Sequence, residues 1–533
     1  MEYGLIGERL GHSYSPQIHR AFGDYDYQLY PMPLSDVEAL LRERRFKGLN
    51  VTIPYKRAVL PFCDELSPAV REIGSANTLV VRDGKIYADN TDLPGMLSML
   101  DKAGIELTGR KVIILGSGGT SLTAQGACRV RQARETVVVS RKGPVTYEDL
   151  YANHTDAEVI INATPVGMYP NNLLSPIDLS RFPKLQGVAD VIYNPAKTKL
   201  LMDAEAAGIP HIDGLWMLAA QAWYAAKLFL NTDIPEEKIQ EAYQSVRREC
   251  LNLVLIGMPG CGKSTQGKRA AQALGRTFVD LDAEIVKRFG PIPMIFETQG
   301  EAGFRKLESE IVKEFGKESG LVIATGGGAI LRPENVEALR QNGALCWLRR
   351  PVEQLATAGR PLSTNLEKLK AMEQTRTPLY RACADYVIDV QPDRATTANA
   401  IVEGFYEAAG AERAQPEHAG HPGKAPVRRG NLRGPTALYP EKSAGAGGGG
   451  GHIPKQFRRR AGGQNSRSLR GGGRYYHQSR RLHPHLRGHS GRAEGGQFAR
   501  GGGAPDGHFQ AGALPTAQLR GHGLPGPLHR PGL

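Results

Sequence analysis

Two glycine-rich loops in this chain of 533 residues have the composition and spacing to hold phosphate. Gly116-Ser117-Gly118-Gly119-Thr120 follows the run Lys111–Leu115, and Gly257-Met258-Pro259-Gly260-Cys261-Gly262-Lys263-Ser264 follows the apolar run Leu251–Ile256. In both, glycines let backbone N–H groups approach phosphate oxygens, and a helix N-terminus behind them adds partial positive charge. The first loop suits a dinucleotide. A second strand-like run, Val137–Val139, ends in Ser140-Arg141-Lys142, where an NAD site would usually place Asp or Glu for the ribose 2′-hydroxyl. A basic pair there suits a 2′-phosphate, so NADP is expected, held by Gly116, Gly118, Gly119, Ser140, Arg141 and Lys142. The second loop is a full P-loop. Gly260, Cys261, Gly262 and Thr265 lie along its phosphate cradle, Lys263 reaches the β/γ oxygens of ATP, and Ser264 offers a hydroxyl to Mg²⁺. Two such chemistries in one polypeptide suggest consecutive steps on one substrate.

Strand-like runs at Tyr3–Ile6, Gly48–Thr52, Lys111–Leu115, Thr136–Val139, Val159–Asn162 and Val188–Ile192 alternate with helical stretches, which predicts an α/β fold with parallel sheets. The net charge of +13 invites a nucleic-acid reading, but the charge is not spread evenly. From Glu417 onward there are 19 Lys and Arg against 4 Asp and Glu, which leaves 48 basic and 50 acidic residues before it. The body is therefore an ordinary near-neutral globular composition, and specific nucleic-acid binding is not expected of it. Six scattered cysteines without metal spacing fit reduced thiols in a cytoplasmic protein. Met1–Gly4 opens without a basic segment leading into an apolar one, so no signal peptide is expected. The most apolar stretch, Leu215–Leu230, contains Gln221 and Lys227, falls short of a membrane span and reads as a buried helix.

Six motifs in order make the first half specific: Gly11-His12-Ser13-x-Ser15-Pro16-x-Ile18-His19, Asn50-Val51-Thr52-Ile53-Pro54-x-Lys56, Gly74-Ser75-Ala76-Asn77-Thr78, Asn90-Thr91-Asp92, Asn162-Ala163-Thr164-Pro165-x-Gly167-Met168 and Gly214-Leu215-x-Met217-Leu218-x-x-Gln221. From about Met1 to Arg247 the chain resembles shikimate dehydrogenases. The resemblance implies a substrate domain over 1–95 and 213–247, an NADP-binding Rossmann domain over 96–212, and NADPH-dependent reduction of 3-dehydroshikimate. It makes Lys56 and Asp92 the catalytic pair, which suits the proton an alkoxide needs after hydride addition. It gives Ser13 and Ser15 the substrate carboxylate, Thr52, Asn77, Tyr193 and Gln221 the ring hydroxyls, and Thr164, Gly214 and Met217 a place beside the cofactor. Read singly, Lys56 is an ordinary surface lysine, Asp92 a helix N-cap, and Ser13 or Ser15 a cap for a helix starting near Pro16. One departure is Leu122, where the family commonly has a basic residue that contacts the cofactor.

Downstream of the P-loop come Asp280-x-Asp282, Gly300-Glu301-x-x-Phe304-Arg305-x-x-Glu308, Thr325-Gly326-Gly327-Gly328, Gly359-Arg360-Pro361-Leu362 and Arg376-x-Pro378-Leu379-Tyr380. From about Cys250 to Gly410 the chain resembles shikimate kinase, a P-loop fold with a parallel sheet. The resemblance implies that Asp280 orients Mg²⁺ and that Asp282 binds the acceptor hydroxyl. Arg305 and Arg376 would grip the shikimate carboxylate, Gly327 would offer a backbone amide near the ring, and Arg360 would meet the phosphates from a mobile lid. Without that context Asp280 and Asp282 read as a plain turn and Arg360 as a surface arginine. The two halves together imply a bifunctional enzyme whose partners are small molecules, with no membrane; the oligomeric state stays open.

Residues 411–533 carry no apolar periodicity and read as a disordered basic tail. Back-translation offers another account. Arg474–His489 shifted by one nucleotide admits Gly-Ile-Ile-Ile-Asn-Pro-Gly-Gly-Tyr-Thr-His-Thr-Ser-Val-Ala, and the same offset over Ala504–Arg520 admits His-Leu-Thr-Asp-Ile-Phe-Lys-Arg-Glu-Pro-Phe-Arg-Gln-Leu-Ser-Tyr. These strings resemble type II 3-dehydroquinate dehydratase, as an out-of-frame segment would. Two alternatives to the bifunctional reading are a quinate/shikimate dehydrogenase using NAD and a nucleic-acid-associated protein using the Arg/Gly-rich tail.

Overall fold

The computed structural model describes residues 2–11, 13–355 and 366–410. The expectations for His12, Arg360 and the 411–533 tail lie outside the described residues. Three sheets follow one another along the chain. The first contains β1 (Tyr3–Gly7), β2 (Tyr27–Pro31), β3 (Gly48–Val51), β4 (Glu65–Leu66), β5 (Thr78–Arg82) and β6 (Lys85–Asp89), in the order β2-β1-β3-β5-β6-β4. It is mixed rather than parallel: β5 runs antiparallel to both β3 and β6. The cause is local. Asp83 and Gly84 both take positive φ (49° and 72°), the two-residue turn whose twist matches a hairpin, so the chain doubles back instead of crossing over.

The second sheet contains β7 (Lys111–Leu115), β8 (Glu135–Val139), β9 (Val159–Asn162), β10 (Gly187–Asp190) and β11 (His211–Ile212), in the order β11-β10-β9-β7-β8, all parallel. Its central strands are buried on both faces, which is why Val112–Leu115 and Val159–Ile161 read as unbroken apolar runs. The helix Gly214–Leu230, whose Gly214 starts one residue before the expected stretch, packs across the helix Asp92–Lys102. The crossing is close because Gly95 has no side chain: a Cβ there would lie 2.9 Å from Gln221 Cβ and 3.1 Å from the Met217 carbonyl oxygen. This crossing fixes Gln221 relative to the start of the Asp92 helix.

The third sheet contains β12 (Asn252–Ile256), β13 (Phe278–Asp280), β14 (Val322–Ala324), β15 (Gly343–Arg349) and β16 (Tyr386–Asp389), in the parallel order β13-β14-β12-β15-β16. Leu253–Ile256 are fully buried between the helices on its two faces. Burying each such aliphatic side chain is worth roughly 1.5–3 kcal/mol, so the strand that launches the P-loop is among the most firmly held elements. The second and third sheets meet through the Ala196 N–H donating to Asn342 Oδ1 (2.8 Å), the Lys197 N–H donating to the Gln341 carbonyl (2.9 Å), and Asn172 Nδ2 donating to Gln341 Oε1 (2.6 Å).

Candidate active sites

The turn after β3 carries Thr52 and Lys56, and the Ala76 N–H donates to the Lys56 carbonyl at 2.8 Å, tying that turn to the segment entering β5. Lys56 Nζ then lies 2.5 Å from Asp92 Oδ2. Asp92 is the first residue of its helix, where partial positive charge favours the carboxylate, while Thr91 rather than Asp92 takes the N-cap position. Asn77 Nδ2 donates to the other carboxylate oxygen, Asp92 Oδ1, at 2.9 Å, and stands 3.5 Å from Gln221 Oε1. Asn77 Oδ1 accepts the Thr91 N–H at 2.7 Å, so the amide cannot flip without breaking a second bond. Four of the expected residues thus form one hydrogen-bonded set. Ser13 Oγ and Ser15 Oγ pair at 3.1 Å, and Tyr14, not a serine, occupies the N-cap position of the helix Ser15–Arg20. The Tyr193 ring meets the Tyr14 ring edge-on at 6.3 Å, which places Tyr193 beside the two serines.

The glycine-rich loop after β7 is open on one side. Gly118 and Gly119 have open space where a Cβ would be, at the start of the helix Gly119–Val130. Gly116 is glycine for a different reason: its φ is 103°, and a Cβ would lie 2.8 Å from the Ala163 carbonyl oxygen, so the loop packs directly on the segment carrying Thr164. Thr164 donates Oγ1–H to Asn162 Oδ1 at 2.7 Å. Ser140 opens a turn closed by its N–H donating to the Val145 carbonyl at 3.1 Å, which leaves Arg141 and Lys142 exposed at its tip. Gly214 admits no side chain, since a Cβ would lie 2.0 Å from the Val191 carbonyl oxygen, and Met217 is buried behind it. Leu122 packs against the core.

In the third sheet a cleft of about 500 Å³ opens at the carboxyl end, lined among others by Gly260, Gly262, Lys263, Ser264, Thr265, Asp282, Arg305, Gly327 and Arg376. Lys263 Nζ donates to the Gly257 and Met258 carbonyls at 2.9 and 3.1 Å, which holds its ammonium inside the loop. Cys261 Sγ lies buried 3.9 Å from it. Ser264 Oγ donates to Asp280 Oδ2 at 2.5 Å, and Asp280 Oδ1 caps the helix Leu281–Phe289 by accepting the Asp282 N–H at 3.1 Å. Across the cleft Arg305 is clamped by Glu308 at 2.7 Å and Glu301 at 3.1 Å, and Arg376 donates to the Gly327 carbonyl at 3.0 Å. A larger cavity, about 1040 Å³, lies where the second and third sheets meet. Its walls are ion-paired, Lys197 with Glu205 and Arg247 with Asp213, and it holds none of the expected residues.

The comparisons with known proteins divide along the same line. Residues 5–79 match the shikimate dehydrogenase substrate binding domain, and residues 259–406 match shikimate kinase. A shikimate dehydrogenase (NADP(+)) of Clostridium perfringens is 32% identical over 265 residues, 46% of this chain and 98% of that protein. The chain belongs to the shikimate dehydrogenase family and carries a shikimate kinase domain. A second relative, the shikimate dehydrogenase (NADP(+)) of Pyrococcus abyssi, is 38% identical over 246 residues, 43% of this chain and 91% of that protein. A solved structure, shikimate 5-dehydrogenase from Thermus thermophilus in complex with NADP(H) and shikimate, is 29% identical, covers 46% of this chain and 99% of its own, and has a TM-score of 0.42.

Around both sites of this shikimate dehydrogenase and kinase chain stand residues that sequence reasoning passed over. Asn50 accepts from Tyr27 Oη at 2.7 Å and donates to Thr78 Oγ1 at 3.1 Å, a buried chain beneath Asn77. Asp190 is fully buried under Asn162 and Thr198, and burial pushes its carboxyl up to about 7. Burial also pushes Glu308 above the ordinary carboxylate range, against the pull of Arg305. Asn50 and Glu308 sit inside quoted motifs, so their motif membership was the available signal; Asp190 ends a plain apolar strand and gave none. Among the described residues no helix is long and apolar enough to cross a membrane.

Proposed function

We propose that the chain reduces 3-dehydroshikimate with NADPH at the first site and phosphorylates the resulting shikimate with ATP at the second. The observation that carries the first step is the Lys56–Asp92–Asn77 set: an ammonium held 2.5 Å from a carboxylate that a second donor orients. NADPH, when bound, supplies a hydride to the ketone carbon. The oxygen left with a negative charge takes its proton from Lys56 Nζ, and Asp92 holds that nitrogen in place. Ser13 and Ser15 receive the carboxylate, and Thr52, Asn77, Tyr193 and Gln221 the ring hydroxyls. Gly116, Gly118 and Gly119 cradle the pyrophosphate, Ser140, Arg141 and Lys142 take the 2′-phosphate, and Thr164, Gly214 and Met217 border the nicotinamide end. The open space at Gly118 and Gly119 fits that group. Substrate domain 1–95 with 213–247 and cofactor domain 96–212 divide these tasks, and 250–410 forms the kinase.

For the second step, the P-loop amides at Gly260, Cys261, Gly262 and Thr265 and the Lys263 ammonium hold ATP, which supplies the phosphoryl group. Phosphoryl transfer relies on positioning and charge neutralisation. Ser264 and Asp280, hard oxygen donors 2.5 Å apart, fit Mg²⁺. Asp282 orients the acceptor hydroxyl and takes up its proton, while Arg305 and Arg376 grip the carboxylate on either side of Gly327. Two single variants test the division. Lys56→Ala should abolish NADP-dependent oxidation of shikimate and leave its ATP-dependent phosphorylation intact; Lys263→Ala should do the reverse. Loss of both activities from either change contradicts separate sites.

A further inference from the structure

One cation in the kinase cleft has no assigned task. Arg350 lines the same cleft as Gly260 and Lys263 and is half-buried there, and its Nε is buried without a hydrogen-bond partner among the described residues. Its surroundings make this unusual. Arg349, one residue earlier, is held by Asp389 through two bonds of 2.6 and 2.7 Å, and Arg305 is neutralised by Glu308 and Glu301. A guanidinium N–H withdrawn from water with no acceptor carries a desolvation penalty, which a bound anion would recover.

The topology says which anion. β15 runs parallel to β12 with Trp347 beside Ile256, so Arg350 emerges at the carboxyl edge next to the P-loop. The contact is tight: a Cβ on Gly257 would lie 2.5 Å from the Leu348 carbonyl oxygen. The chain leaves β12 toward β13 on one side of the sheet and leaves β15 toward β16 on the other. The crevice between β12 and β15 is therefore the switch point of this sheet, where open α/β sheets bind their ligands. The carboxylate-gripping pair, by contrast, sits around Gly327 beyond β14.

We propose that Arg350 is a phosphate ligand of the kinase, closing on the nucleotide's phosphate oxygens from the side of the P-loop opposite Gly327. This rests on the reading of the cleft as the nucleotide site, which ADP binding to the unaltered chain checks separately. The test is calorimetric titration of the full chain and of Arg350→Met with ADP plus Mg²⁺ and, separately, with shikimate. Loss of one charge-assisted contact should weaken ADP about tenfold or more, with shikimate affinity and dehydrogenase turnover unchanged. Equal ADP affinity in the two proteins overturns the proposal, and so does weakened shikimate binding with ADP unaffected, which would make Arg350 a carboxylate ligand. Should Arg350→Met destabilise the kinase domain in a melting experiment, Arg350→Lys, which keeps the charge and loses the fork, carries the same test with a smaller loss of ADP affinity.

Discussion

Gly327 stands between the P-loop and the arginines assigned to the acid substrate, and replacing it with alanine tests that arrangement by steric means alone. A Cβ there would lie 2.6 and 2.7 Å from Cδ and Cγ of Pro259 and 2.9 Å from its backbone nitrogen. Ordinary contact begins at 3.4 Å, so the two loops must separate by about 0.8 Å. No rotamer change relieves this, because the obstructing atoms belong to a proline ring and the main chain. Gly327 is not among the glycines with positive φ, so alanine introduces no backbone strain of its own. The displacement also drags Arg376 and Tyr380, whose side chains donate to the Gly327 carbonyl at 3.0 and 2.6 Å. Misplacing reacting groups by about 1 Å costs on the order of 100-fold in rate, or about 2.7 kcal/mol of barrier. The assay is the initial rate of ATP-dependent phosphorylation of supplied shikimate, with NADP-dependent shikimate oxidation by the same preparation as the control. Gly327→Ala should lower the kinase kcat by about two orders of magnitude and leave the dehydrogenase unchanged. A kinase rate near that of the unaltered chain would refute the reasoning.

Replacing Arg141 and Lys142 together with alanine should raise the KM for NADPH by about tenfold or more through lost contacts to the 2′-phosphate, with NADH kinetics unmoved; parallel KM measurements with both coenzymes decide it, and an equal effect on both argues against the assignment. Ser264→Ala should raise the Mg²⁺ concentration needed for half-maximal kinase rate, read from a metal titration at fixed ATP, because one of two neighbouring oxygen donors is gone. Asp190 predicts a pH effect on stability. Unfolded, it ionises near 3.8, but in the fold only at about 7, so between those values the native state holds the extra proton and stability falls as pH rises. The loss amounts to as much as about 4 kcal/mol. Asp190→Asn should flatten that part of the urea-unfolding profile, and a constant difference between the two proteins across the window would contradict the assignment.

How much of this was legible in the sequence varied with the range of the interactions involved. β7 and β9 coincide with the expected runs because strands buried on both faces must be apolar throughout, and sequence displays that directly. The first sheet was misjudged as parallel although Asp83-Gly84 between β5 and β6 is a recognisable hairpin signal; short strands such as β4 leave almost no pattern of their own. For the sites, family motifs named Lys56 and Asp92, but only packing reveals that Asn77 joins them and that the Gly95 crossing brings Gln221 near. Glu301 and Glu308 clamp Arg305 from one helical turn on either side, a spacing visible in sequence whose meaning depends on burial. Arg350 belongs to no quoted motif, and its place in the cleft follows from strand order, which periodicity does not reveal.

Whether one chain performs both consecutive steps can be read from a single reaction. The full chain is mixed with 3-dehydroshikimate, NADPH, ATP and Mg²⁺, and NADPH oxidation is followed alongside the appearance of shikimate 3-phosphate. Both should proceed, and Lys263→Ala should oxidise NADPH while accumulating shikimate. NADPH oxidation by the unaltered chain with no shikimate 3-phosphate formed would contradict two consecutive steps in one chain.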